Sequence, residues 1–235
     1  VSVDSLITAR LIKRLNRFAA LVEVEGKEEM AHIPNSGRMK DLLYPDARVI
    51  IKKAGGKGRK TPYDLLFAFH GEYTVSIDSR LPNYLLEEAI KKGKIPELSG
   101  YQQINREASW GTSRFDLILR GKDRKDCLIE IKSVNLVREG VALFPDAPTT
   151  RGRRHLEELG EAYQKGFRAV TFFLIMREDA VVFSPHDEMD PPFGRALRES
   201  LSRGMEIMVR SCRFSGYRVE VGDSLPYYLK ELEAP

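Results

Sequence analysis

The chain has 235 residues, 42% of them hydrophobic and 31% charged, with a formal net charge of +4. This is an ordinary globular composition with room for one sizeable core or two smaller ones, and the absence of a signal segment or an apolar run of membrane-spanning length points to a cytoplasmic protein with no membrane partner. The charge excess favours polyanionic partners only mildly, while Cys127 and Cys212, without metal-ligand spacing and set in apolar text, argue for free thiols rather than a disulfide framework.

Up to about residue 80 the text is short and strand-like. AALVEVEG, MAHIP, ARVIIKKA, YDLLFAFH and YTVSIDS are rich in branched and aromatic residues and separated by Gly, Pro, Asn and Asp, which predicts a small closed sheet such as a barrel over residues 1–80. In HIPNSGRMKDLL, residues 35 to 38 form a turn and Met39, Leu42 and Leu43 fit one short helix; the segment closes the barrel or faces a ligand. The basic loop GGKGRK at residues 55 to 60 is either a solvated turn or a phosphate-contacting loop.

A second unit is expected over residues 81–235. PNYLLEEAIKK reads as a helix with Pro82 in its first turn and Gly93 as its stop. The runs RFDLIL, DCLIEIKSV and RAVTFFLIM read as strands, and RRHLEELGEAYQKG, with Leu156, Leu159 and Tyr163 on one face, as a helix crossing between the last two. A helix around FGRALRESLSRG and a strand around EIMVRSCRF complete an α/β layer. No dimerisation helix is encoded, but a homodimer through a sheet edge or barrel face stays open.

RFDLILRGKDRKDCLIEIKSV reads as a hairpin. If its turn centres on Asp123, facing residue numbers sum to about 246 and Asp116 stands opposite Glu130. Alternation then groups Phe115, Leu117 and Leu119 with Cys127, Ile129 and Ile131 on a core face, and puts Asp116, Glu130 and Lys132 on the other, where they need not be buried. Two adjacent carboxylates repel unless a proton or cation lies between them. A hard divalent ion, Mg²⁺ or Mn²⁺, resolves this economically, with Lys132 beside it to support an attacking water at a phosphodiester. The competing reading is an ion pair of Lys132 with Glu130 or Asp116 that merely satisfies the sheet face. Glu107, nine residues before Asp116, is a candidate third carboxylate. Downstream, Thr149, Thr150, Arg151, Arg153, Arg154 and His155 gather at the start of the crossover helix, where cations gain nothing from the helix dipole and an anionic ligand would compensate them. Arg138 extends that patch or lies on a solvated face.

HIPNSGRM, KTPYDLL, EAIKKGKIPELSGY, WGTSRFDLIL, IEIKSVNL, ALFPDAPTTRGRRHLEEL and FSPHDEMDPPFGRALRESLSRGMEI, in this order, resemble the sugar fermentation stimulation protein family over nearly the whole chain. The resemblance implies an OB-like barrel followed by a PD-(D/E)XK nuclease-like α/β domain, non-specific double-stranded DNA binding, a suspected metal-dependent nuclease activity and a link to sugar utilisation. Carried over by position, the motif acids fall at Asp116 and Glu130, the lysine at Lys132 and a helix-borne acid at Glu107. Phe115 stands where the motif has proline. The expected metal ligands are thus Asp116, Glu130 and Glu107, with Lys132 completing the catalytic set. Phosphate contacts are expected from Arg38, Lys57, Arg59 and Lys60 on the barrel and from Arg151, Arg153, Arg154 and His155 on the crossover helix. A non-catalytic DNA-binding regulator is the alternative; an enzyme acting on a small sugar or phosphate would instead need an enclosed apolar pocket.

Overall fold

The computed structural model describes residues 6–55 and 59–229. Six strands form the first unit: β1 (Leu6–Asn16), β2 (Ala19–Val24), β3 (Lys27–His32), β4 (Arg48–Lys53), β5 (Tyr63–His70) and β6 (Tyr73–Ser76). They run in the order β3-β2-β1-β4-β5-β6, and a parallel β3–β5 pairing closes the sheet on itself. The interior is filled by Leu11, Val22, Ile33, Leu42, Val49, Ile51, Leu65 and Val75. β1 carries no recognisable period because its register slips between Leu11 and Lys13 and again between Arg14 and Asn16, so inward residues do not fall at every second position. The short helix expected at Met39 is a single turn in which Met39 O accepts from Leu42 N (3.1 Å) and Leu43 N (2.9 Å).

The second unit is a six-stranded sheet of β7 (Gln103–Trp110), β8 (Ser113–Arg120), β9 (Cys127–Val134), β12 (Arg168–Ile175), β14 (Glu206–Ser215) and β15 (Arg218–Ser224), in the order β15-β14-β12-β9-β8-β7. β9, β12 and β14 are parallel, and the outer strands are antiparallel. A small accessory sheet joins β10 (Leu136–Arg138), β11 (Val141–Phe144) and β13 (Val182–Pro185). Helix α1 (Leu81–Lys91) lies on one side of the large sheet, over Leu117, Leu119, Cys127, Ile129, Phe172 and Leu174. Helices α2 (Thr150–Gln164) and α3 (Pro191–Ser202) lie on the other, over Phe115, Ile118, Leu128 and Phe173. The helix starts follow their caps: Thr149 Oγ1 accepts from Gly152 N (3.0 Å) and Asp190 Oδ1 from Phe193 N (3.1 Å). Burial on both faces leaves Cys127 and Cys212 free and inaccessible, and it pushes the Cys127 thiol up to about 12.

The two units meet in an apolar seam where Ile50, Leu66 and Phe67 of the barrel pack on Phe214, Tyr217 and Val219, with the Phe67 and Tyr217 rings 5.4 Å apart. Polar ties flank it. Asn135 Nδ2 donates to Ser76 O (2.5 Å), and Asp146 Oδ2 accepts from Arg38 N (2.8 Å) and Met39 N (3.2 Å). Gly37 permits that last contact, since a Cβ there would stand 2.8 Å from Asp146 Oδ2. No helix among the described residues is long and apolar enough to cross a membrane.

Candidate metal centre

The β8–β9 hairpin has the register read from the sequence: Leu117 pairs Ile129, Ile118 pairs Leu128 and Leu119 pairs Cys127, so Asp116 and Glu130 fall opposite each other one step on. Pairing ends there. Ile131 N donates to Asp116 Oδ2 (2.7 Å), and Asn83 Nδ2 of α1 donates to Asp116 Oδ1 (2.8 Å). The regular alternation also ends there, which corrects the expected grouping of Phe115 with Leu117: Phe115 belongs to the core under α2, Leu117 to the core under α1. The neighbouring strand turns over at the same level, where Glu107 has a φ of 59° and Ala108 joins the α2 side while Ile104 stays on the α1 side.

The expectation that Glu130 and Lys132 escape burial is also corrected, because α2 covers their face. They retain 5% and 8% of their exposure. Glu130 Oε1 accepts from Lys132 Nζ (2.7 Å) and from His155 Nδ1 (2.5 Å), while Oε2 is buried without a partner among the described residues. Arg151 Nε donates to His155 Nε2 (3.3 Å), an arrangement that leaves the imidazole proton on Nδ1, toward Glu130. Burial works to raise the Glu130 carboxyl, but Lys132 and His155 together hold it below the usual range. Asp116 goes the other way. Burial first, and the charge of Glu130 second, push it up to about 6 against the two donors it accepts from.

Glu107 lies opposite Asp116 in the β7–β8 register, but it is exposed and paired with Arg114 Nε (2.5 Å) rather than turned toward Asp116 and Glu130. Among the described residues no three His, Cys, Asp or Glu side chains are grouped to hold a metal. The two carboxylates that are brought together do suit a hard cation: one has an orphaned buried oxygen and the other resists ionising beside its neighbour. Asp116 and Glu130 are therefore the residues that would hold one.

The positions expected to contact phosphate are spread out. Lys57 lies outside the described residues. Arg59 is paired with Asp64 at 2.7 Å, and Lys60 is exposed beside it. Arg151 and Arg154 are exposed at the start of α2, Arg153 stands 3.5 Å from Glu157, and Arg138 stands 4.0 Å from Glu188. His155, expected on the same surface, is 2% exposed and belongs to the carboxylate site. Arg38 lines a cleft of about 970 Å³ between the barrel and the sheet, together with Arg17 and Lys40 from the barrel and Ser133, Asn135 and Thr149 from the sheet unit. None of Arg17, Arg38 and Lys40 has an ion pair among the described residues. Arg14 supports this wall by donating to Gly37 O (2.8 Å), Arg17 O (2.9 Å) and Arg38 O. Asn83 and Arg17 carried no signal in the sequence, since only the fold brings Asn83 to Asp116 and Arg17 to the cleft wall. Thr149→Ala is expected to cost about 1 kcal/mol in chemical denaturation by uncapping α2; an unchanged midpoint would contradict the capping role.

A barrel closed by a parallel β3–β5 pair, followed by a mixed sheet resembling the PD-(D/E)XK fold with its two acids and lysine on one hairpin, defines a two-domain protein of the OB and PD-(D/E)XK-like class. The chain belongs to the sugar fermentation stimulation protein family: residues 12–77 match its N-terminal OB domain and residues 80–217 its RE domain. It is 46% identical over 209 residues to a sugar fermentation stimulation protein homolog of Caldanaerobacter subterraneus, covering 89% of this chain and 91% of that one. A homolog from Natranaerobius thermophilus is 47% identical over 208 residues, covering 87% of each. The structure of Pyrococcus furiosus SfsA in complex with Ca²⁺ is similar throughout, with a TM-score of 0.89 and 31% identity over 97% of this chain and 98% of that one.

Proposed function

We propose that this chain is a non-specific double-stranded DNA-binding protein of the regulator type, linked to sugar utilisation through its family, with its units dividing at residues 80 and 81. The observation that carries the reading is the cleft between barrel and sheet, whose barrel wall presents the side chains of Arg17, Arg38 and Lys40 without an ion pair among the described residues. Unpaired cations along an open polar cleft suit a phosphate backbone, and they fix position without reading bases. Exposed Arg151 and Arg154 would extend the track along α2.

A divalent cation on Asp116 and Glu130 belongs to this reading, supported by the orphaned Glu130 Oε2 and by the Ca²⁺ held by the similar archaeal protein. Mg²⁺ or Mn²⁺ is the expected ion. A second reading, metal-dependent phosphodiester hydrolysis, is favoured by Lys132, which is paired with Glu130 at 2.7 Å and acts on Asp116 by its charge. A bound cation would polarise a phosphoryl oxygen and acidify water. Lys132 would then carry its ammonium to the developing charge, once freed from Glu130.

The test measures duplex affinity by fluorescence anisotropy across a salt series. Arg38→Ala and Lys40→Ala are each expected to weaken binding equally for unrelated sequences and to lower the slope of log K against log salt by about 1. Duplex binding unaffected by both changes would sink the cleft. Nicking of supercoiled DNA in Mg²⁺ or Mn²⁺, abolished by Lys132→Ala, would establish the second reading; DNA binding with no cleavage in either metal would leave the first.

A further inference from the structure

We infer that His155 is a positioning residue for the cation: it fixes Glu130 through Oε1 so that Oε2 is presented to the metal, and it remains as the holder of that carboxylate once the metal has displaced Lys132. The inference rests on the reading that Asp116 and Glu130 hold a divalent ion, and it gives a buried histidine, one that touches neither solvent nor cleft, a defined task.

Both donors to Glu130 converge on one oxygen. Lys132 Nζ and His155 Nδ1 reach Oε1 at 2.7 and 2.5 Å, and Oε2 has no partner among the described residues. A carboxylate tied at one oxygen and bare at the other is oriented as a ligand awaiting an acceptor of its lone pairs. The two donors differ in what happens next. An ammonium ion is repelled by an arriving dication, whereas a neutral imidazole donating from Nδ1 is not. Arg151 Nε donates to the far nitrogen at 3.3 Å and so keeps the imidazole in the tautomer that donates to Glu130.

The ring is held by Glu130 at Nδ1, by Arg151 at Nε2 and by the Phe115 ring. Phe115 meets it edge-on at 5.7 Å between centroids. Its helix is anchored at its start by the Thr149 cap, and Asp190 Oδ2 accepts from Thr149 N at 2.7 Å. That anchoring makes the imidazole a fixed strut, in contrast to the flexible lysine stem.

The deciding experiment measures Mn²⁺ binding to the purified full chain by electron paramagnetic resonance, alongside melting in EDTA. His155→Phe keeps the ring but removes the donor, and is expected to weaken Mn²⁺ binding by about tenfold or more. His155→Asn places an amide N–H near the position of Nδ1 and is expected to stay close to the parent. His155→Gln reaches toward the Nε2 position instead and is expected to behave like the phenylalanine variant. A folded His155→Phe protein that binds Mn²⁺ as the parent does overturns the inference. If that variant fails to fold, equal affinities of the asparagine and glutamine variants overturn it. Asp116→Asn separates the two layers of argument. Loss of Mn²⁺ in Asp116→Asn with full retention in His155→Phe removes only the role of the histidine; full retention in Asp116→Asn removes the cation reading and the histidine role together.

Discussion

Arg177→Met is expected to destabilise the protein by about 3–5 kcal/mol, the range for removing one partner of a buried ion pair. Arg177 is wholly inaccessible. Its Nε and Nη2 donate to the two oxygens of Asp179 at 2.6 and 2.5 Å, and its Nη1 donates to Asn135 O at 3.1 Å. Asp41 of the barrel adds its Oδ2 at 3.6 Å from Nη1, beyond hydrogen-bond reach but close enough for attraction across the domain boundary. A methionine fills the stem volume but leaves the half-buried Asp179 and Asp41 without the guanidinium that offsets their charge. Burial raises the Asp179 carboxyl, yet Arg177 holds it below the ordinary range. A depressed native pKa contributes stability above the unfolded value and loses it as pH falls through the native one. The gap between parent and variant in urea denaturation should therefore be full at neutral pH and shrink in acid, below about pH 4. The double change Arg177→Met with Asp179→Leu should recover much of the loss, as apolar replacements of buried pairs do. A single variant with an unchanged midpoint, or a double variant worse than the single one, would show that the guanidinium is not the clasp between the units.

Nothing in the text around Arg177 announces this role, and the contrast with the hairpin shows where sequence reading has purchase. The β8–β9 register was legible because a short polar loop fixes the sum of facing positions, and that sum survives to Leu117 and Ile129. The ends of α1 were legible from Pro82 and Gly93, whereas the starts of α2 and α3 rest on the Thr149 and Asp190 caps, whose donors only the folded chain brings to them. The rotation of both strands at Glu107 and Asp116 was not. It depends on a left-handed backbone at Glu107, a residue type with no preference for that region, and it moved Phe115 to the other core. Burial of Glu130 and Lys132 was missed for a related reason: alternation identifies two faces of a strand but does not say that helices cover both. The partners of the site lie 25 residues away at His155 and 33 away at Asn83, on opposite sides of the sheet, so only the packed structure joins them. Strands β10, β11 and β13, of three or four residues, are too short to show a period.

Asp116→Asn is expected to invert the order of stability according to whether metal is present. In the metal-free protein Asp116 is pushed up to about 6 by burial and by Glu130, from an ordinary value of 3.8. A carboxyl raised on folding favours the native state only while protonated, so its ionisation withdraws stability as pH rises from about 4 to about 6 and keeps it withdrawn above. Raising this carboxyl from 3.8 to about 6 costs the ionised native state roughly 3 kcal/mol. Asparagine cannot ionise and avoids that penalty. It keeps an acceptor for Ile131 N but turns a donor toward Asn83, whose amide must rotate; this mismatch costs about 1 kcal/mol. The variant should thus be more stable than the parent by about 2 kcal/mol at pH 8 in EDTA, and no more stable at pH 4. Saturating Mg²⁺ or Mn²⁺ reverses the comparison, because a ligand at a hundred times its Kd stabilises the parent by about 2.7 kcal/mol and a variant with a broken site gains nothing. Thermal melts at two pH values, with and without metal, contain the whole test. Equal melting of the two proteins at pH 8 in EDTA would remove the strained carboxylate, and equal stabilisation of both by metal would place the cation elsewhere. The predicted crossing has one physical source: burial of Asp116, with the charge of Glu130 opposite it on the hairpin, costs the fold stability that a cation held there would restore.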